Sequence, residues 1–168
     1  MAKKLQPPCA PPKRGLPWEL KYKYVQGQMT TLFKGFLYAI REEYGADAAL
    51  KIVEKMWKFK DRVKNMINTF LNVFKIEGND CEALGEFWDV YFEIHGHEAI
   101  ILERSKTISR TKITKCPWSS PDPKDISGWC GIWTSTVSES INPKISGKRL
   151  KGMCAGDPYC EYIARLEE

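Results

Sequence analysis

From Gln28 to Tyr44 apolar residues return every three or four positions, at Met29, Leu32, Phe33, Phe36, Leu37, Ile40 and Tyr44. That period puts them along one side of a helix, and Gly45 is suited to end it. A second, longer helix is predicted from Asp47, which can cap it, to Phe74. Its stripe is Leu50, Val53, Met56, Trp57, Phe59, Val63, Ile67, Phe70, Leu71 and Phe74, and "EGND" is its stop. A third runs from Asp80 to about His95, with Leu84, Phe87, Trp88 and Tyr91 inward and Gly96 as terminator. Helical spacing alone accounts for these rings and methionines as core.

Beyond Gly96 the period shortens. "EAIILERS" and "TISRTKITKC" are rich in Ile and Thr and predict two strands joined near Ser105 and Lys106. The loop "PWSSPDPKD" leads to a helix from about Asp125 to Asn142, with Trp129, Ile132, Trp133, Val137 and Ile141 on one face and Pro143 at its end. Two more strands follow, "KRLKGMC" and "CEYIARL". In the last, Cys160, Tyr162, Ala164 and Leu166 point one way, Glu161 and Arg165 the other. The expected architecture is α+β: a helical N-terminal half followed by a β-β-α-β-β antiparallel sheet.

Residues 1–17 hold Pro7, Pro8, Pro11, Pro12 and Pro17. Such a segment is extended and joins no core, so residues 18–168 are expected to form a single domain behind a Pro-rich arm. A homo-oligomer in which the arm lies along a neighbour would give it a role. Apolar residues at 43% and charged residues at 28% suit a globular domain. No run of about 18 apolar residues exists to span a membrane, and "MAKKLQPPCAPPKRG" lacks a signal peptide's apolar stretch, which points to the cytoplasm. The net charge of +5 lies in the first 25 residues, where Lys3, Lys4, Lys13, Arg14, Lys21 and Lys23 face only Glu19. The remaining twenty basic and twenty acidic residues cancel (26 − 6 against 21 − 1), so the body predicts no nucleic-acid partner.

Six cysteines in a reducing compartment are more often metal-binding, catalytic or buried than disulfide-bonded. Cys116 ends a strand, Cys130 sits in the first turn of a helix, and Cys154 and Cys160 flank the turn "CAGDPYC", in which Gly156 supplies a positive φ. A helix N-terminus favours a thiolate at Cys130. The four sulfurs can converge on one tetrahedral zinc, while an iron–sulfur centre and inert thiols fit the same residues. Cys9 and Cys81 have no evident partner. His95 and His97 flank a glycine next to Glu98, where a metal ligand or a plain helix C-terminus both fit. Glu103, bordered by Ile and Leu, is either on the solvent face or turned inward as ligand or general base.

The segments "CPW", "GWCGIW", "INPKI" and "CAGDPYCEY" resemble the 4-vinyl-reductase-type small-molecule-binding domain of hydrocarbon-binding proteins and phenol-sensing regulators, related in fold to haem nitric-oxide sensors and trafficking-complex subunits. The resemblance implies zinc held by Cys130, Cys154 and Cys160, with Cys116 or Glu103 as fourth ligand, beside an apolar pocket. Over residues 28–165, "EEYGADAALKIVEKMW", "NDCEALGEFW", "KITKCPW" and "ESINPKI" are also similar to the L-2-amino-thiazoline-4-carboxylic acid hydrolase-like family. That family implies hydrolysis of a cyclic amidine, with Glu103 and Cys130 as catalytic candidates. The leading expectation is a cytosolic domain that binds a small apolar or aromatic ligand and carries a structural zinc. A hydrolase and an iron–sulfur redox protein are the alternatives.

Overall fold

The structure is a computed structural model and describes residues 17–119 and 127–167. The arm with Cys9 and the middle of the loop after Trp118 lie outside the described residues. The elements in chain order are α1 (Trp18–Tyr44), α2 (Ala46–Trp57), α3 (Lys60–Phe74), α4 (Cys81–Ile94), β1 (Glu98–Arg104), β2 (Ile108–Lys115), α5 (Ser127–Ile141), β3 (Ile145–Lys151) and β4 (Cys160–Leu166). The architecture is α+β, a helical half followed by an antiparallel sheet in the order β1-β2-β4-β3.

The helical half departs from the pattern twice. First, α1 begins at Trp18, ten residues before the predicted start. Its inner face continues back from Phe33 through Thr30, Gln26 and Tyr22, and the polar members interrupt the apolar signal. Second, the long helix expected after Gly45 is broken at Lys58 and Phe59, with Phe59 at ψ 67. The stripe foretells the break: six positions separate Trp57 from Val63, a phase slip of about 120° on a helix of ~3.6 residues per turn. Two shorter helices bury Val53 and Ile67 on separate faces, which one rod cannot do. Gly45, at φ 87, makes the one-residue turn from α1 into α2, so Asp47 lies within the first turn of α2 instead of capping it.

The third predicted helix is found as α4. Asp80 caps it, its carboxylate accepting from the N–H groups of Glu82 and Ala83; such caps contribute ~1 kcal/mol. Leu84, Phe87 and Trp88 are fully buried. Helices α4 and α5 lie on the same face of the sheet. A Cβ on Gly85 of α4 would stand 2.6 Å from Ser109 Oγ of β2, and a Cβ on Gly147 of β3 would stand 2.0 Å from Ser138 Oγ of α5. Only glycine admits these helix-to-sheet approaches.

The pairings follow the predicted alternation, with one surprise. Cys160, Tyr162 and Ala164 face the helices and are buried. Glu161 faces away, yet only 3% of it is exposed, because Arg110 of β2 donates to its Oε1 at 2.6 Å. The hairpin between β3 and β4 is longer than expected: Lys151 pairs with Glu161, and Met153–Ala155 form a 3-10 turn. Gly156, at φ 95, supplies the positive φ read from the sequence. Cys154 therefore lies in the turn, not across the ladder from Cys160. Helix α1 stays peripheral, with Leu20, Tyr24, Met29, Leu32 and Phe36 each more than half exposed.

Candidate functional site

The end of α4, the end of β2, the start of α5 and the middle of β4 meet at one point. Tyr91 and Phe92 come from the last turn of α4, and His97 follows the Gly96 turn. Cys116 and Trp118 leave β2, Trp129, Cys130 and Trp133 come from α5, and Tyr162 from β4. These residues enclose a cavity of about 30 Å³, room for about one water. It opens toward a cleft of about 410 Å³ under α1, lined in part by Tyr22, Met29, Phe33, Trp57, Tyr91 and Trp129. Tyr91, Trp118 and Trp129 border both, so cleft and cavity form one site.

Aromatic contacts set its walls. Tyr91 stacks on His95 at 4.0 Å between ring centres and leans on Trp133 at 4.7 Å, while Trp118 meets Trp129 edge-on at 5.0 Å. Phe33 of α1 lies 5.0 Å from Trp129 and carries the wall across to the first helix. That helix is tied down at the rim. Tyr22 Oη and Gln26 Nε2 both donate to the carbonyl of Ile94, and Lys34 Nζ donates to that of Pro117 at 3.1 Å.

The polar atoms inside are few and incompletely matched. Neither lining contains Asp, Glu, Lys or Arg. The indole N–H groups of Trp57 and Trp129, residues that border the cleft, are buried without a partner among the described residues. A buried donor left unmet costs ~1–3 kcal/mol, so each invites an acceptor. Burial, and then the charge of His95, pushes His97 down to about 4, so its ring is neutral near pH 7. Its Nε2 stands 3.4 Å from Cys116 Sγ.

The cysteines of the C-terminal third gather here without making the expected centre. Burial raises the pKa of Cys116, and Cys130, Cys160 and Cys154 lie near enough for a charge on any of them to add to that rise. Cys116 faces His97, Cys130 and Cys160 both meet Tyr162, and Cys160 Sγ also accepts from the Met153 N–H at 3.2 Å. Among the described residues, no group of three or more His, Cys, Asp or Glu is arranged to hold a metal ion, and the described cysteines are free thiols. Cys154, one of the four expected zinc ligands, lies in the 3-10 turn between β3 and β4.

At Cys130 burial opposes the helix N-terminus. Burial pushes that thiol up to about 11 despite the helix N-terminus and the nearby Arg149 guanidinium, and it pushes Cys116 up to about 12. Desolvation outweighs the dipole. Glu103, the other catalytic candidate, is exposed on β1, pairs across to Arg110 and lines neither cavity nor cleft. Cys81 is buried at the start of α4, away from the site lining.

Of the aromatic residues singled out from the sequence, Trp57, Trp118, Trp129 and Trp133 border the site, whereas Phe87 and Trp88 belong to the core. Phe33, Tyr91, Phe92 and Tyr162 border it without having been marked as site residues by the sequence. For Tyr91 and Phe92 a signal existed, since they immediately precede the His95–His97 turn.

No protein-family model matches the chain, and no curated protein matches it. Solved structures do. Trafficking protein particle complex subunit 3 from Naegleria fowleri, covalently bound to palmitic acid, aligns with a TM-score of 0.64 at 18% identity over 87% of this chain and 97% of that one. The phenol-responsive sensory domain of the transcription activator PoxR, with phenol, aligns at 0.51 and 12% identity over 84% of this chain and 74% of that one. At such identities the likeness establishes a shared fold.

Proposed function

We propose that this domain binds an uncharged small molecule, apolar or aromatic with a hydrogen-bond acceptor, in the cleft between α1 and the ends of α4 and α5. The observation that carries the reading is a cleft walled by aromatic and apolar side chains and lined by no Asp, Glu, Lys or Arg, with the indole N–H groups of Trp57 and Trp129 buried in its walls and without a partner among the described residues. The volume of about 410 Å³ suits a compact ligand, since small-molecule sites span ~300–1,000 Å³. The phenol of one structural relative and the palmitic acid of the other are both small molecules with an apolar body, in keeping with such a cleft.

Acetophenone, an uncharged ring with one acceptor oxygen, is a suitable probe. Titration followed by tryptophan fluorescence should saturate, and Trp129→Phe should weaken binding about tenfold, the equivalent of one hydrogen bond at ~1.4 kcal/mol. A linear, non-saturating response, or equal affinity in the variant, refutes the reading.

Zinc on Cys116, Cys130, Cys154 and Cys160 is a subordinate element of the proposal. Their shared neighbourhood supports it, and the contacts of Cys116 with His97 and of Cys130 and Cys160 with Tyr162 would have to give way to the ion. Zinc bound to the purified protein and lost in Cys154→Ser would sustain it, and metal-free protein with an unchanged melting temperature would remove it. An iron–sulfur centre would need the same convergence. The cyclic-amidine hydrolase gains no support, because Cys130 and Cys116 are protonated near neutral pH and Glu103 lies elsewhere.

A homodimer through α1 completes the proposal. Val25, Met29, Leu32 and Phe36 share one side of α1, each more than half exposed, and together expose roughly 500 Å² of apolar side chain at ~200 Å² each. That is more than half of the ~800 Å² per partner of a standard interface.

A further inference from the structure

Equal numbers of acidic and basic residues beyond the arm do not mean an even surface. Strand pairing collects cations on the sheet face turned away from α4 and α5. Across one row of that face stand Lys151 of β3, Glu161 of β4 and Lys112 of β2; across the next stand Lys148, Ile163 and Arg110. Arg165 follows, beside Ile108. Two acids share this face. Glu161 is buried in its pair with Arg110, and Glu103 lies opposite Arg110 at the β1 edge.

Lys148 and Arg165 are exposed and Arg110 keeps 41% of its side chain open. Tyr159 is held by the ammonium groups of Lys112 at 4.3 Å and Lys151 at 4.5 Å from its ring centre. No described helix packs on this face.

We propose that the open face of the sheet is a docking surface for an acidic amphipathic helix of a partner protein. Charge complementarity favours carboxylates over Lys148, Arg165 and Lys112, and the half-buried Ile163 and Ile108 between them ask for apolar side chains. A helix ~10 Å across covers two strands ~4.8 Å apart, as α4 covers β1 and β2 on the other face. A polyphosphate backbone offers nothing for the isoleucines, and Tyr159, engaged by two ammonium groups, is a poor platform for base stacking. Acyl chains lie beneath lipid headgroups, out of reach of isoleucines level with the sheet.

The test is fluorescence anisotropy of a labelled 18-residue helical peptide with Glu on one face and Leu along its border, titrated with the full-length protein. Micromolar binding is expected, weakening at least tenfold from 50 to 500 mM NaCl. The double variant Lys148→Glu, Arg165→Glu should lose at least tenfold in affinity while its melting temperature and acetophenone affinity stay unchanged. Those substitutions touch neither cleft nor cavity, so the surface and the ligand site fail independently. Absence of peptide binding overturns the proposal, and so does equal affinity in the double variant. Tighter binding of vesicles containing phosphatidylserine, or of single-stranded RNA, than of the peptide also overturns it.

Discussion

Lowering the pH from 7 to 4.5 should destabilise this domain through His97. The folded state holds the ring neutral, with a pKa of about 4 against the ordinary 6.5. The unfolded chain therefore takes up a proton first. The depressed value contributes stability that is fully present above pH 6.5 and is lost as pH falls toward 4. At ~1.36 kcal/mol per pKa unit the gap is worth roughly 3 kcal/mol. Partial contact with solvent trims this to about 2 kcal/mol. His95, whose pKa burial also lowers, adds in the same direction.

Urea unfolding at pH 7.5, 6.5, 5.5 and 4.5, read as the midpoint at constant m, measures the effect. His97→Phe keeps a ring against Phe92, 5.2 Å away, and removes the titrating group. The wild type should lose about 2 kcal/mol more than the variant between pH 7.5 and 4.5. Parallel curves would refute the reasoning, since they would mean that the His97 ring is solvated in the folded state.

Gly147→Ala should cost roughly 3 kcal/mol or more by denaturant unfolding, because its Cβ would stand 2.9 Å from the Thr134 carbonyl and closer still to Ser138; a loss under ~0.5 kcal/mol would show that α5 and β3 separate easily. Arg110→Ala strands the carboxylate of Glu161, whose side chain is only 4% exposed, and should cost ~2–4 kcal/mol near neutral pH; much of that cost should vanish in the double variant with Glu161→Gln, and an equal cost there would contradict the pairing argument. Leu32→Asp with Phe36→Asp should convert a dimer to a monomer by sedimentation without lowering acetophenone affinity; a wild-type monomer would refute the α1 interface.

What the sequence displayed and what it hid follow from the range of the interactions. Period-two and period-3.6 patterns made the strands and α4 legible, because Ser109, Thr111 and Ile113 alternate strictly and Asp80 carries its own cap. The break at Lys58 and Phe59 was written as a phase slip, without a glycine or proline to flag it. The first turns of α1 were obscured because Gln26 and Thr30 occupy the face that borders the cleft. The cysteines were placed in the right region, but their protonation was not legible: burial by Tyr91, Trp133 and Tyr162 comes from three separate elements. The cationic sheet face was invisible in the charge count because pairing register, not composition, brings Lys148, Lys112 and Arg165 together.

A crystal soaked with 4′-bromoacetophenone gives the most direct measurement of the central claim. Anomalous bromine density inside the cleft under α1, with the ketone oxygen within hydrogen-bond distance of Trp129 Nε1 or Trp57 Nε1, is the expected result. Bromine found only on the outer surface, with both indole donors still unpartnered at a concentration that saturates the fluorescence response, would contradict it.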